Sequence, residues 1–412
     1  MENSNNRVIF HIDVNSAFLS WSAVYNLQQG GIIDFREIPA VIGGDSKSRH
    51  GVVLAKSIPA KKYNIKTGES LFSAKKKCPE LKVIPPQHDL YRKYSNVMMK
   101  ILQEYTPVIE KFSIDECFMD FTGVKKACED PINFAYIIKE RIKRELGFTV
   151  NVGIAHNKLL AKMASDLRKP DRIHTLFPQE IRKKIWPLPV ENLFMVGRAT
   201  VPKLHKLHIK TIGELANCDL NILKNEFKSY GALIWNYANG IEVSQVQDNT
   251  LINAKSIGNS TTLAADIKDK NSAHIVLLSL CETVAMRLRN SQNLCKVVTV
   301  VIKNSEFISY SKQKQLCSAT DSTKEITKTA YEAFDKAWKG DKIRLLGVAV
   351  SHLSSNELYQ MSLFDNKDKV KNKKLDTTLD SIRLKYGSKA AMRGVFAKSE
   401  IKPMSGRLKK DD

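Results

Sequence analysis

Two adjacent carboxylates, Asp115 and Glu116, sit inside the stretch FSIDECFMDF, between runs that read as β-strands. A third, Asp13, ends the apolar run RVIFHID. Hard oxygen donors of this kind suit Mg2+, which takes near-octahedral oxygen ligands and is usually held by one or two carboxylates together with substrate phosphates. Two such ions about 4 Å apart could clamp an in-line displacement at phosphorus. The chemistry suggested is phosphoryl transfer on a nucleotide. Each carboxylate could equally be an exposed turn residue, and the distance in sequence from Asp13 to Asp115 leaves open whether they meet.

The elements that must position them follow from periodicity. RVIFHID reads as a short strand reaching its carboxylate at the end, and SAFLSWSAVYNL after it has the spacing of an amphipathic helix. In the basic segment that follows, Val52 to Ala55 predicts a strand and SLFSAKKKCP a helix stopped by Pro79. LYRKYSNVMMKILQEYT has helical spacing closed by Pro107. IEKFSI and CFMDFT predict a hairpin with Asp115 and Glu116 at its tip, although that pair lacks the Gly or Asn that a tight turn favours. Poor turn residues at a tip point to function. Pro170, Pro178, Pro187 and Pro189 mark a junction, after which short helices run to Gly240, two of them joined by a turn at His208 to Thr211. From Ile252 to Leu353 strands and helices alternate in an order that predicts two βαβ-like halves on one sheet. The Lys-rich segment after Ser354 predicts at least partial mobility, and KLDTTLDSIRLKYGSKAAMRGVF within it predicts one more short helix plus extension.

At 412 residues and 43% hydrophobic content the chain can bury several cores, which predicts more than one domain. Its 65 basic and 43 acidic residues leave a formal charge of +22, a field that attracts polyanions and makes nucleic acid the leading partner class. Aromatic content of 8% forms no regular stacking ladder, which favours duplex grip by charge over single-strand binding. The seven cysteines are scattered without a CxxC pair, against both a disulfide framework and a structural zinc site. No apolar run approaches the ~18 residues of a membrane span, and the N-terminus lacks a signal pattern. A cytoplasmic, soluble protein without membrane contact is expected.

FHIDVNSAF, KFSIDECFMDFTG and VNVGIAHNKLLAKMASDLRKPD resemble the three palm motifs of Y-family translesion DNA polymerases, the polymerase IV and UmuC-like group. KSIGNSTTL and IRLLGVAVSHL are similar to that family's C-terminal DNA-binding domain, so the likeness runs in order from about residue 7 to 364. The resemblance implies a mixed α/β and α+β right-hand architecture. Its parts would be a palm (1–18 and 82–170), fingers (19–81), a helical thumb (171–240), a little finger (252–353) and a C-terminal tail (354–412). It implies an error-prone, template-directed polymerase without proofreading, acting as a monomer on primer-template DNA and deoxynucleoside triphosphates.

Carried onto this chain, the resemblance implies that Asp13, Asp115, Glu116 and the main-chain carbonyl of Val14 hold two Mg2+ ions. Phe18 falls where the family places an aromatic beneath the incoming sugar, a steric gate against a 2′-hydroxyl. Lys61 and Lys158 resemble triphosphate contacts. Many relatives carry Tyr three residues before an Arg at the first of these sites, where this chain has Ile58 and Lys61, and Ser57 is the candidate substitute. VGRATVPKLHKLHIKTIGELA resembles a helix-hairpin-helix, implying phosphate contacts near Gly197 and Lys203. Lys255, Lys296, Lys303, Lys312 and Lys314 would hold template and primer backbones without reading bases. Gln360, Met361, Ser362, Leu363 and Phe364 resemble the peptide by which bacterial polymerases dock on the sliding clamp, the β subunit of the replicative polymerase. A structure-specific two-metal nuclease and a non-catalytic clamp-bound scaffold are the competing readings. The first explains neither Phe18 nor Lys158, and the second leaves the three carboxylates without a purpose.

Overall fold

The computed structural model describes residues 7–45, 49, 51–247, 254–355, 367–387 and 390–397. The clamp-like peptide at 360–364 lies outside them. The chain forms two compact units, residues 1–44 with 51–252, and 253–412 with 45–50.

Among its described residues the first unit carries eight strands: β1 (Ile9–Val14), β2 (Ala40–Gly43), β3 (Val53–Lys56), β4 (Lys82–Ile84), β5 (Ile109–Lys111), β6 (Glu116–Asp120), β7 (Val150–Ala155) and β8 (Ile173–Thr175). Five of them form one sheet in the order β5-β6-β1-β7-β8, with β1 central and antiparallel to both neighbours. Alternation along β1 explains its placement. Phe10, Ile12 and Val14 enter the core beneath the helices Ala17–Gln28, His88–Gln103 and Pro131–Leu146, while Ile9 packs with Leu159 and Leu160 of the helix Lys158–Asp166. His11 and Asp13 continue that second face toward the strand end. The helix Pro131–Leu146 has sharp local signals at both ends. Asp130 accepts from the Asn133 amide at 3.0 Å, Pro131 opens the first turn, and Gly147 closes it at φ 74°.

A smaller sheet, β3-β2-β4, packs its own core of Val41, Val53, Ile65 and Leu71. The predicted strand and basic helix here are observed as β3 and Leu71–Lys77. From Pro178 to Ala238 short helices joined by turns dominate. The turn expected at His208 to Thr211 is present between Val201–Lys206 and Ile212–Ala216, with His208 at φ 60° and Thr211 and Glu214 capping each other reciprocally.

The second unit is one antiparallel sheet of β9 (Ser256–Ile267), β10 (Asn293–Asn304), β11 (Ser309–Thr320) and β12 (Ile343–Ser355), ordered β11-β10-β12-β9. The helices Lys270–Asn290 and Thr323–Ala337 pack on it over Val298, Val300, Ile302, Val348 and Val350. The segment expected to be mobile contains the helix Lys367–Tyr386, and its polar face explains why it docks. Asp376 and Asp380, one turn apart, take the guanidinium of Arg289 at 3.4 and 2.6 Å, and Glu282 takes Arg383 and Arg393 at 3.2 and 2.6 Å. Asp376, Asp380, Glu282, Arg289 and Arg383 are all nearly buried, so each charge needs its partner.

Candidate active site

The hairpin of β5 and β6 closes as the sequence predicts, with Glu116 the first residue of β6 and Asp115 still in the turn. The Ser113 hydroxyl donates to Asp115 at 2.6 Å, which supplies the local order that a Gly or Asn would otherwise give. Glu116 is the direct cross-strand partner of Asp13, and the Val14 amide donates to the Asp115 carbonyl at 3.0 Å. The chain then turns sharply through Ser16, which adopts the left-handed conformation at φ 48° and ψ 50°. That geometry costs a non-glycine residue of order 1–2 kcal/mol.

These residues line one cleft. Asp13, Val14, Asp115, Glu116 and Phe18 share it with Leu54, Lys56 and Thr67 from the smaller sheet's side, and with Lys162 and Lys169. Phe18 stacks on Tyr91 with ring centroids 4.5 Å apart and planes 9° from parallel, which fixes its edge at the cleft. Lys162 binds Glu116 and Lys169 binds Asp13. Burial pushes the Asp13 carboxyl above its usual range, and Lys169 offsets only part of that. Burial acts the same way on Glu116, but hydrogen bonds from His11 and Lys162 win and hold it down to about 2. Burial lowers the pKa of His11.

The donor set fits divalent cations: three carboxylates and a main-chain carbonyl, all hard oxygens. Two ammonium groups already lie against two of those carboxylates. Among the described residues no three acidic or imidazole groups converge closely enough to enclose an ion as they stand.

The other expected contacts divide. Ser57 is 2% exposed and its hydroxyl is saturated, accepting from the Ala40 and Ala60 amides and donating to the Ile38 carbonyl. It is committed to capping the helix Ile58–Lys62 and does not replace a phosphate ligand. Lys61 is exposed on that helix and does not line the cleft. Lys158 is turned away, bound to Glu110 at 3.0 and 3.2 Å. The cations that face the carboxylates are Lys162 and Lys169. Both were present in NKLLAKMASDLRKP, and Lys162 is one helical turn beyond Lys158. Which turn faces the site was set by packing. Gly153 of β7 lets this helix approach so closely that a Cβ there would come 1.9 Å from the Ala161 carbonyl oxygen.

The sequence matches two family descriptions, the impB/mucB/samB family over residues 12–166 and its C-terminal domain over 254–363. It is 55% identical over 399 residues to the DNA polymerase IV of Clostridium acetobutylicum, covering 96% of this chain and 100% of that one. The chain belongs to the Y family of DNA polymerases. The DNA polymerase IV of Acetivibrio thermocellus is 39% identical over 396 residues, 95% of this Y-family chain and 97% of the relative. A solved Y-family DNA polymerase chimera superposes with a TM-score of 0.73 at 23% identity, covering 85% of this chain and 100% of the chimera, and supports the right-hand fold. As a family member the enzyme is a DNA-directed DNA polymerase that uses divalent metal. Among the described residues no helix is long and apolar enough to cross a membrane.

The lysines of the second unit also divide, by strand period. On β11, Lys312 and Lys314 pair with Val300 and Val298, whose side chains are under the helices. They therefore belong to the covered face, and Lys314 is bound to Glu332 of the overlying helix. At this sheet edge Lys312 is nonetheless exposed and the Lys314 side chain is 42% exposed. Lys303 pairs with Ser309 and Leu345 on the opposite, uncovered face, Lys296 sits at an irregularity between Cys295 and Val297, and Lys255 is exposed just before β9. In the helical region Gly197 accepts from the Thr200 and Val201 amides, and Lys203 lies 3.9 Å from Glu226 while remaining half exposed.

Proposed function

We propose that this cleft performs translesion DNA synthesis, joining an incoming deoxynucleotide to a primer 3′-hydroxyl with two Mg2+ ions. The observation that carries the reading is the convergence of Asp13, Asp115, Glu116, Val14 and Phe18 with two lysines on one cleft. Asp13, Asp115, Glu116 and the Val14 carbonyl would hold the ions, and ions bound there would supply charge neutralisation at phosphate and a lowered pKa for the attacking hydroxyl. Phe18 excludes a 2′-hydroxyl. Lys169 and Lys162 are released from their carboxylates to the triphosphate, where a point charge offsets developing negative charge.

The five-stranded sheet is the palm, the β2–β4 region the fingers, residues 171–240 the thumb, and the β9–β12 unit the little finger. Duplex DNA is held through Gly197 and Lys203 and through the little finger's uncovered face with Lys303, Lys255 and Lys296. Residues 360–364 tether the enzyme to the sliding clamp, their low intrinsic affinity offset by effective concentration. The enzyme acts as a cytoplasmic monomer.

The test is primer extension with Mg2+ and all four deoxynucleotides on damaged and undamaged templates. Wild type should extend both. Asp115→Ala and Glu116→Ala should each lose at least about 10²–10³-fold in rate, the scale of removing one electrostatic element from a transition state. Extension that survives both substitutions would overturn the assignment. Adding clamp should stimulate wild type, and Leu363→Ala with Phe364→Ala should abolish that stimulation alone.

A further inference from the structure

His11 is a fully buried imidazole on β1. Its ring leans on Phe118 with centroids 4.7 Å apart, and each nitrogen meets a different polar group. Nδ1 lies 2.8 Å from the Ser165 hydroxyl, and Nε2 lies 3.1 Å from Oε2 of Glu116. That second contact is close but outside hydrogen-bond alignment, and Nε2 has no hydrogen-bond partner among the described residues. In either charge state a ring nitrogen beside a carboxylate must present N–H rather than a lone pair. Nε2 therefore carries a proton, while Nδ1 rests on the Ser165 hydroxyl, whose oxygen also lies 2.8 Å from the Lys162 carbonyl to which it donates.

The consequence falls on the two oxygens of Glu116. Oε2 takes both Lys162 and His11, while Oε1 has no protein partner among the described residues. The scaffold behind His11 is rigid. Its cross-strand partner is Gly153, the position where the helix carrying Lys162 and Ser165 packs against the sheet without room for a Cβ.

We propose that His11 is a positioning residue for Glu116, holding Oε2 inboard through Nε2–H so that Oε1 stays presented to a divalent ion in the cleft. The inference rests on Glu116 being a metal-holding group. Outer partners that orient a metal ligand typically change affinity or activity 10–100-fold when removed. Lys162 alone cannot do this in the working state, because it is also the group expected to move to the triphosphate.

Two substitutions separate the ring's two contacts. His11→Gln keeps an amide donor near Nε2, and His11→Asn keeps a polar atom only near Nδ1. Each is assayed with primer-template DNA bound, by Mn2+ affinity from electron paramagnetic resonance, by kcat and KM for single-nucleotide insertion, and by thermal midpoint. His11→Asn should weaken Mn2+ binding about tenfold and lower kcat with KM for the nucleotide within about twofold, while His11→Gln stays within about threefold of wild type. Equal losses in the two variants, or Mn2+ affinity in His11→Asn within about twofold of wild type, would overturn the proposal. Glu116→Gln is the control that separates the two failures. If it leaves Mn2+ affinity unchanged, the metal role of Glu116 fails, and if it alone weakens binding, only the role of His11 fails.

Discussion

The two large sheets of this polymerase are both built mainly from antiparallel pairs, yet they spend their polar residues in opposite ways. The five-stranded sheet concentrates charge at one strand end, where Asp13 and Glu116 face each other across β1 and β6. The four-stranded sheet spreads polar side chains along the face its helices leave open. Phosphoryl transfer needs a few groups fixed at a point. Gripping a nucleic-acid backbone needs charge distributed over a surface, with no single contact dominant. A point site is vulnerable to single substitutions, and a distributed one is not.

That contrast is tested first at the catalytic cleft. Phe18→Ala should raise ribonucleotide incorporation relative to deoxynucleotide at least about tenfold, worth ~1.4 kcal/mol of discrimination. Competitive insertion assays measure it, and an unchanged sugar preference would remove the gate from this residue. A smaller effect is expected on the open sheet. Lys303→Ala should reduce the slope of log affinity against log salt by about 1, as for one phosphate contact. Lys314→Ala should barely change it, because Glu332 already neutralises that lysine. Equal slopes for the two variants would mean the covered and open faces do not differ in DNA contact.

The smallest effect is on stability, and the two facing carboxylates should differ in sign. Glu116 is held at about 2 against an ordinary 4.5, so its anionic contacts stabilise the fold fully above pH 4.5 and are lost as pH falls through about 2. Glu116→Gln should therefore show a shallower acid loss than wild type across that window. Asp13 is shifted upward, so ionising it above its ordinary 3.8 costs stability instead. Asp13→Asn should melt no lower than wild type at pH 7 and still be inactive, which differential scanning calorimetry and primer extension check together.

The legible parts of the fold were those specified locally. The thumb turn was expected at His208 to Thr211, where Thr211 and Glu214 cap each other, whereas the helix Pro131–Leu146 went unread although Asp130, Pro131 and Gly147 mark its ends. β9 was legible only as part of a family motif, because SIGNSTTLAADI has one open face and carries few of the apolar residues that mark a buried strand. The helix after residue 367 was legible only as one more short helix in KLDTTLDSIRLKYGSKAAMRGVF, and its docking was not. Its value lies in Asp376 and Asp380 meeting Arg289, which is far away in sequence.

The candidate site divides along the same line. The amino-acid sequence by itself determined the donor set, since Asp13, Asp115 and Glu116 stand at strand ends recognisable from alternation and from family motifs. It also determined the net positive charge that draws in nucleic acid. Only the tertiary structure decided which lysines serve the cleft. Lys158 and Lys162 are one helical turn apart and chemically identical, and the approach permitted by Gly153 gives one to Glu110 and the other to Glu116. It decided likewise that Ser57 is a buried cap and that His11 meets Glu116. Residue type fixes what a group can bind, but which partner it meets depends on contacts between segments whose spacing the local sequence does not encode.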